Sequence, residues 1–220
     1  MKRLCIVAEG QTEQTFVNEI LAPYLYTKGQ FYTVQAPLIR ISKSGHGGFV
    51  NFKHLKNTIN ALLKESKDAD LIVTTFVDFF RMPKNMPQYD ISMAKKTKRD
   101  QILSLEQALA SHIPDRRFVP YIQLHEFEAL LFVNNKGFES YWDEAMCKKT
   151  NHIIQTYTNP EDINTTPEGA PSKRLLAINE QYDKVIEGNV IALEVGIEAM
   201  LSHCPRFREW VNVLVKLSGV

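Results

Sequence analysis

Cysteine is scarce and unpatterned: Cys5, Cys147 and Cys204 are odd in number, far apart and never in a C-x-x-C spacing. That excludes a disulfide framework and a zinc knuckle, and a reducing cytoplasm is the expected setting. An excess of charge is also missing, since 26 Lys and Arg nearly cancel 25 Asp and Glu to leave +1. No global field draws the chain to nucleic acid or to an acidic membrane, so polyanion binding has to be local. No apolar run reaches the roughly 20 residues of a membrane helix. The longest, Leu71 to Phe80, holds Thr74, Thr75 and Asp78, and Leu4 to Ala8 behind Met1-Lys2-Arg3 is cut by Glu9 too early for a signal-peptide core. A protein without membrane association is expected, and the sequon at Asn164-Thr165-Thr166 carries no weight without secretion. Several motifs are incomplete. Val50 stands where Gly45-x-Gly47 needs a third glycine, Ala129 where H-E-x-x-H needs its second histidine, and Gly10 lacks the Gly-Lys-Ser/Thr of a P-loop. There is no G-x-S-x-G nucleophile turn.

What is present is a globular composition, 44% hydrophobic and 23% charged over 220 residues. At about 150 residues per domain this reads as one compact domain with an appended lobe. Leu4 to Ala8 is a β-prone run broken at Glu9-Gly10, after which Phe16, Val17, Ile20 and Leu21 recur at helical spacing. Tyr32 to Ile41 reads as a second strand, followed by a polar loop from Ser42 to Gly48 that includes His46. Leu55, Ile59, Leu62 and Leu63 mark a helix. Leu71 to Val77 lacks polar alternation, as a strand covered on both faces would. Phe79 to Lys98 reads as a long loop, Ile102, Leu105 and Leu109 as a helix, Phe118 to Leu124 as a fourth strand, and a helix begins near His125. This alternation predicts an α/β fold with a mainly parallel sheet and helices on both faces, over residues 1–133. Residues 134–220 read as a helical extension packed on that core, with Thr158 to Ala170 as the linker.

Acidic residues fall where strands end. Glu9 closes the first strand and Glu13 lies in the first turn of the next helix, so both can face one crevice at the carboxyl edge of the sheet, where α/β ligands gather. Gly10 allows a sharp turn between them. Glu13 equally suits the helix dipole, and Glu9 a solvated turn. Asp78 follows the third strand directly, either as a ligand or as a turn-capping aspartate. His125-Glu126-Phe127-Glu128 adds two acids beyond the fourth strand, where an ordinary amphipathic helix with solvated glutamates is the alternative. Two carboxylates about 4 Å apart repel by roughly 4 kcal/mol at an effective dielectric near 20. Protons or a hard divalent cation must offset this, and all-oxygen ligation favours Mg²⁺ or Mn²⁺ over zinc. Ala170-Pro171-Ser172-Lys173-Arg174 opens a helix whose amides and two cations could address a phosphate. Lys95-Lys96-Thr97-Lys98-Arg99 is a second basic patch, solvated or suited to nucleic-acid backbone.

Leu-Cys-Ile-Val-Ala-Glu9-Gly-Gln-Thr-Glu13, Phe-Val-Asp78, Leu-His-Glu126-Phe-Glu128-Ala-Leu-Leu-Phe, Ala-Pro-Ser-Lys173-Arg174 and Cys204-Pro-x-Phe-x-x-Trp210 together resemble a bacterial family of unknown function numbered 4276. That family looks like a branch of the Toprim fold of topoisomerases, primases and the overcoming-lysogenization-defect nucleases. In those nucleases, strand-end acids and a later lysine assemble two metal sites. The resemblance implies metal ligation by Glu9, Glu13, Asp78 and Glu128, with Lys173 as the lysine. Phe80 stands where the second acid of Asp-x-Asp is expected, so one ligand is missing unless Glu126 or water replaces it. The resemblance further implies an ATPase partner and a role in phage defence.

The expected function is therefore a Mg²⁺- or Mn²⁺-dependent endonuclease acting on DNA or RNA. Glu9, Glu13, Asp78 and Glu128 would hold metal, Lys173 would neutralise the transferring phosphate, and Arg174, Glu126, Lys95 and Lys96 would support. The alternative from a different class is a non-catalytic subunit that regulates a partner ATPase. A small-substrate phosphohydrolase is the third reading.

Overall fold

The computed structural model describes residues 1–41, 49, 51–67, 69–163 and 167–219. His46, its glycine loop and the sequon lie outside the described residues. β1 (Lys2–Ala8) leads into α1 (Gln11–Phe16), which continues through a π turn at Val17–Leu21 into α2 (Ala22–Lys28). Then come β2 (Phe31–Gln35), α3 (Phe52–Glu65), β3 (Leu71–Asp78), α4 (Tyr89–Met93), α5 (Lys98–His112), β4 (Phe118–Val119) and β5 (Ile122–Gln123). A 3-10 helix at Phe127–Val133 precedes α6 (Lys136–Glu139), α7 (Glu144–Thr156), α8 (Pro171–Ile178), α9 (Glu187–Val195), α10 (Ile197–His203) and α11 (Pro205–Leu217). The strand order is β2-β1-β3-β4, β5 also pairs with β3, and every pairing is parallel.

Parallel strands need covering on both faces, and side-chain alternation along β1 and β3 divides the core accordingly. Leu4, Ile6, Ile72 and Phe76 face one hydrophobic cluster with Phe16, Phe127, Phe207 and Trp210. Cys5, Val7, Val73 and Val77 face the other, with Leu55, Ile59, Ile102 and Leu105 of α3 and α5. The C-terminal helices thus share the first cluster with the sheet. Trp210 stacks on Tyr121 and Phe76 at 4.3 and 5.4 Å between ring centroids, and its indole N–H donates to Thr74 Oγ1 at 2.9 Å. Among the described residues no helix is long and apolar enough to cross a membrane.

Four expectations are corrected. The fourth strand is split at Pro120-Tyr121, because proline has no N–H for the ladder. The Thr75 hydroxyl fills the gap, donating to Tyr121 O at 2.7 Å and accepting from Tyr121 N at 2.9 Å. The second strand ends at Gln35, and beyond it Leu38 makes an isolated parallel bridge to Ala8. The segment after His125 is a fully buried 3-10 helix rather than a half-solvated α-helix. Thr158 to Ala170 is no free linker in its described part. Glu161, only 1% exposed, accepts the Arg206 and Phe207 amide hydrogens at 2.8 and 3.0 Å and so caps the start of α11.

That cap is testable. Glu161→Ala leaves two buried amides without their acceptor and is expected to cost about 1–3 kcal/mol in urea unfolding, with Glu161→Gln losing less. An unchanged midpoint in Glu161→Ala would show that water replaces the carboxylate.

Candidate functional site

The carboxyl ends of β1, β3 and β5 lie side by side, and an acid sits at or just beyond each. Backbone amides fix most of them. Glu9 Oε2 accepts the Asp78 N–H at 3.0 Å, tying the end of β1 to that of β3. Asp78 Oδ1 accepts the Phe127 N–H at 3.0 Å, tying β3 to the 3-10 helix. Glu13 reaches back one turn to accept the Gly10 N–H at 2.8 Å, half of a capping box. Gly10 is extended, with φ −145°, so it makes no left-handed turn; a Cβ there would stand 3.2 Å from Glu13 Oε2. Glu126 accepts both the N–H and the hydroxyl of Ser172 at 2.9 Å, which seats it on the first turn of α8.

Glu128 is different. Its side chain is wholly buried, yet neither carboxylate oxygen has a hydrogen-bond partner. The nearest cation is Lys184, whose Nζ lies 3.5 Å from Glu128 Oε1 and 3.8 Å from Glu13 Oε1. Glu9, Asp78, Glu126, Glu128, Lys173 and Lys184 line one cavity of about 720 Å³. Phe80, Arg81 and Tyr182 also line it. Arg81 and His125, at φ 58° and 68°, hold left-handed backbone that non-glycine residues seldom adopt. The Phe80 N–H donates to His125 O at 2.8 Å, so the two strained segments brace each other beside the cavity.

Burial dominates the electrostatics. It raises Glu9 to about 7, with repulsion from Glu13 adding and the Asp78 amide opposing. It raises Asp78 well above the usual carboxylate range, with Glu13 and then Glu9 contributing. Burial raises Glu128 to about 7 although Lys184 pulls it down. For Lys184 burial works against the charge, but Glu128, Asp78 and Glu13 outweigh it and hold the ammonium firmly protonated. His125 is lowered to about 4 by burial and then by Lys98, so it is neutral near pH 7.

The sequence-predicted acids Glu9, Asp78, Glu126 and Glu128 come together in this cavity, and Glu13 joins them through Lys184. Lys173 is exposed at its mouth. Arg174 is not part of it; the guanidinium covers the Tyr157 ring at 5.3 Å and donates to Gly169 O and Tyr157 Oη. The first α8 amide that was to greet a phosphate is already taken by Glu126. Lys95 and Lys96 are exposed on the turn before α5, away from the cavity-lining set. Sequence reasoning passed over Lys184, Tyr182 and Arg81. Lys184 sits on an irregular turn held by Asp183, which accepts the Val185 and Ile186 amide hydrogens at 2.8 and 2.9 Å. Asn189 fastens the following helix to α1 by donating to Thr12 O at 3.2 Å. Gly188 lets Tyr182 in, because a Cβ there would lie 2.6 Å from its hydroxyl.

A family model matches residues 8–215, and its description is Domain of unknown function (DUF4276). The chain belongs to that family. No curated protein and no solved structure matches it.

A hard divalent cation suits the donors here. All are carboxylate oxygens, and both Glu128 oxygens are buried acceptors to which the protein itself donates no hydrogen bond. As the side chains stand, no three His, Cys, Asp or Glu groups among the described residues are close enough to hold an ion. The carboxylates must close in to share one.

The burial of Glu128 makes a signed prediction. Its folded-state value of about 7 against 4.5 means stability that is present below pH 4.5 and lost as pH rises to about 7. His125 works in the opposite sense over an overlapping interval, so the difference between proteins isolates Glu128. In chelator, Glu128→Gln should gain up to about 3 kcal/mol on the wild type between pH 4.5 and 8. Parallel stability curves would show that Glu128 is not held neutral by burial.

Proposed function

We propose that this protein is a Toprim-type, divalent-metal-dependent nuclease that hydrolyses phosphodiester bonds. The observation that carries the reading is the meeting of Glu9, Asp78, Glu126 and Glu128 in one cavity, opposed by Lys173 and Lys184. Glu9, Glu13, Asp78 and Glu128, supplemented by Glu126, would hold Mg²⁺ or Mn²⁺, which activates water and stabilises the leaving oxygen when bound. The remaining work falls to the chain itself. Backbone amides aim one oxygen each of Glu9, Glu13 and Asp78, so those acids are oriented before substrate arrives. Lys173 and Arg81, exposed at the mouth, meet the charge of an incoming phosphate. Arg174 acts indirectly, by holding the α8 start from which Lys173 projects, and Glu126, besides its place among the ligands, seats the same helix through Ser172. With no excess positive charge on the chain, grip on a nucleic acid is confined to this mouth and to patches such as Lys95-Lys96. By the resemblance to the overcoming-lysogenization-defect nucleases, the protein would work beside an ATPase in defence against phage.

The test is cleavage of DNA and of RNA with Mg²⁺ or Mn²⁺. Glu9→Gln and Glu128→Gln should each lower the rate by at least roughly 100-fold, and activity equal to wild type in both would remove these acids from the chemistry. Lys173→Ala should weaken cleavage while leaving thermal stability unchanged, because its side chain is exposed; Arg174→Ala should do the reverse.

One observation favours a second reading. Phe80 occupies the cavity wall where a further acid would complete the metal set, and no ready three-donor group is present among the described residues. A chain with the fold and a reduced site would serve as a regulatory subunit of a partner ATPase. Absence of Mn²⁺ binding by calorimetry, with nucleic acid present, would favour that role.

A further inference from the structure

Lys184 combines features that a purely structural lysine lacks. Its ammonium lies among buried acids while 43% of its side chain remains exposed, so a route to solvent is open without unfolding. Its distances to Glu13 and Glu128, 3.8 and 3.5 Å, exceed those of a charge-assisted hydrogen bond at about 2.7–2.9 Å. It neutralises the acids without satisfying their acceptors. Both Glu128 oxygens and the Tyr182 hydroxyl are buried in or beside the cavity without a hydrogen-bond partner. Tyr182 is only 7% exposed, and Gly188 is what admits its hydroxyl. Native interiors rarely leave such groups without a partner, and where the protein supplies none, ordered water or a bound ion does. The turn carrying Lys184 is fastened at Asp183 and, through Asn189, to α1, so the body of the turn stays in place while the flexible lysine stem can swing.

We propose that Lys184 is a built-in counterion that occupies the acid cluster in the metal-free protein and is displaced when a divalent cation enters. This rests on the metal-binding reading above and adds a competitor to it. A tethered single positive charge holds Glu13 and Glu128 near each other against their repulsion. A doubly charged ion gains more from the same oxygens and expels it. The released ammonium then joins Lys173 at the mouth, so the cation that guards the empty site becomes one that meets phosphate in the filled one.

Calorimetry of the full chain with MnCl2 tests this without any activity assay. Lys184→Met should bind Mn²⁺ at least tenfold more tightly than wild type, because the competing charge is gone. Wild-type binding with equal or weaker binding by the variant overturns displacement and leaves the metal reading standing; no binding by either protein overturns both. A measurement on the wild type alone guards against a variant that fails to fold. Acylation of lysines read by mass spectrometry should label Lys184 several-fold more with Mn²⁺ than in chelator, while exposed Lys148 is unchanged. Equal labelling of Lys184 in both conditions overturns the proposal.

Discussion

Carboxylates forced together at the low-dielectric edge of a sheet repel one another, and the design of this molecule follows from how that repulsion is held. Four backbone amides, those of Asp78, Gly10, Phe127 and Ser172, each support one acid, and a single ammonium, that of Lys184, sits between two of them. Three of these supports tie elements together at the edge. Glu9 locks β1 to β3, Asp78 locks β3 to the 3-10 helix, and Glu126 locks that helix to α8. The C-terminal helices are thus part of the site as well as part of the core. Trp210, buried against Tyr121 and Thr74, anchors the last of them on the central strand.

The sheet and the acids were legible in the sequence because both arise from local patterns. The unbroken apolar run of β3 announced a strand buried on two faces, and the polar residue ending each run marked where side chains leave the sheet. Glu9, Asp78, Glu126 and Glu128 were found by that signal alone. What stayed hidden depends on distant contacts. Lys184 lies in Gln181-Tyr182-Asp183-Lys184, a stretch without periodicity, and only the folding of α9 against α1 brings it to Glu13. Glu161 looked like linker because its partners are the amides of Arg206 and Phe207, which no local pattern reveals. Pro120 carried a readable warning of a strand break, but its repair by Thr75 did not. Arg174 looked like a phosphate ligand by its place at a helix start, and Tyr157, seventeen residues earlier, claims it instead.

Phe80 gives the proposed chemistry its particular character. Where an acid is expected by resemblance, an aromatic wall stands under the Arg81 guanidinium, 5.2 Å from the ring centroid. Glu9, Asp78, Glu126 and Glu128 are then the acids that line the cavity, and Lys184 meets Glu128 and Glu13 at its edge. Under the proposed displacement, the Lys184 ammonium would stand in for metal on the side of Glu13 and Glu128, and its release would change the charge at the mouth. Membership of the DUF4276 family, over residues 8–215, makes this arrangement a pattern to seek in other members.

The most direct measurement is a crystal structure from Mn²⁺-soaked crystals with diffraction recorded at the manganese absorption edge. An anomalous peak is expected in the cavity within bonding distance of Glu128 and of at least one of Glu9, Glu13 and Asp78, with the Lys184 amine withdrawn. A cavity without a peak, with Glu128 still unpaired and Lys184 still seated, would contradict this expectation.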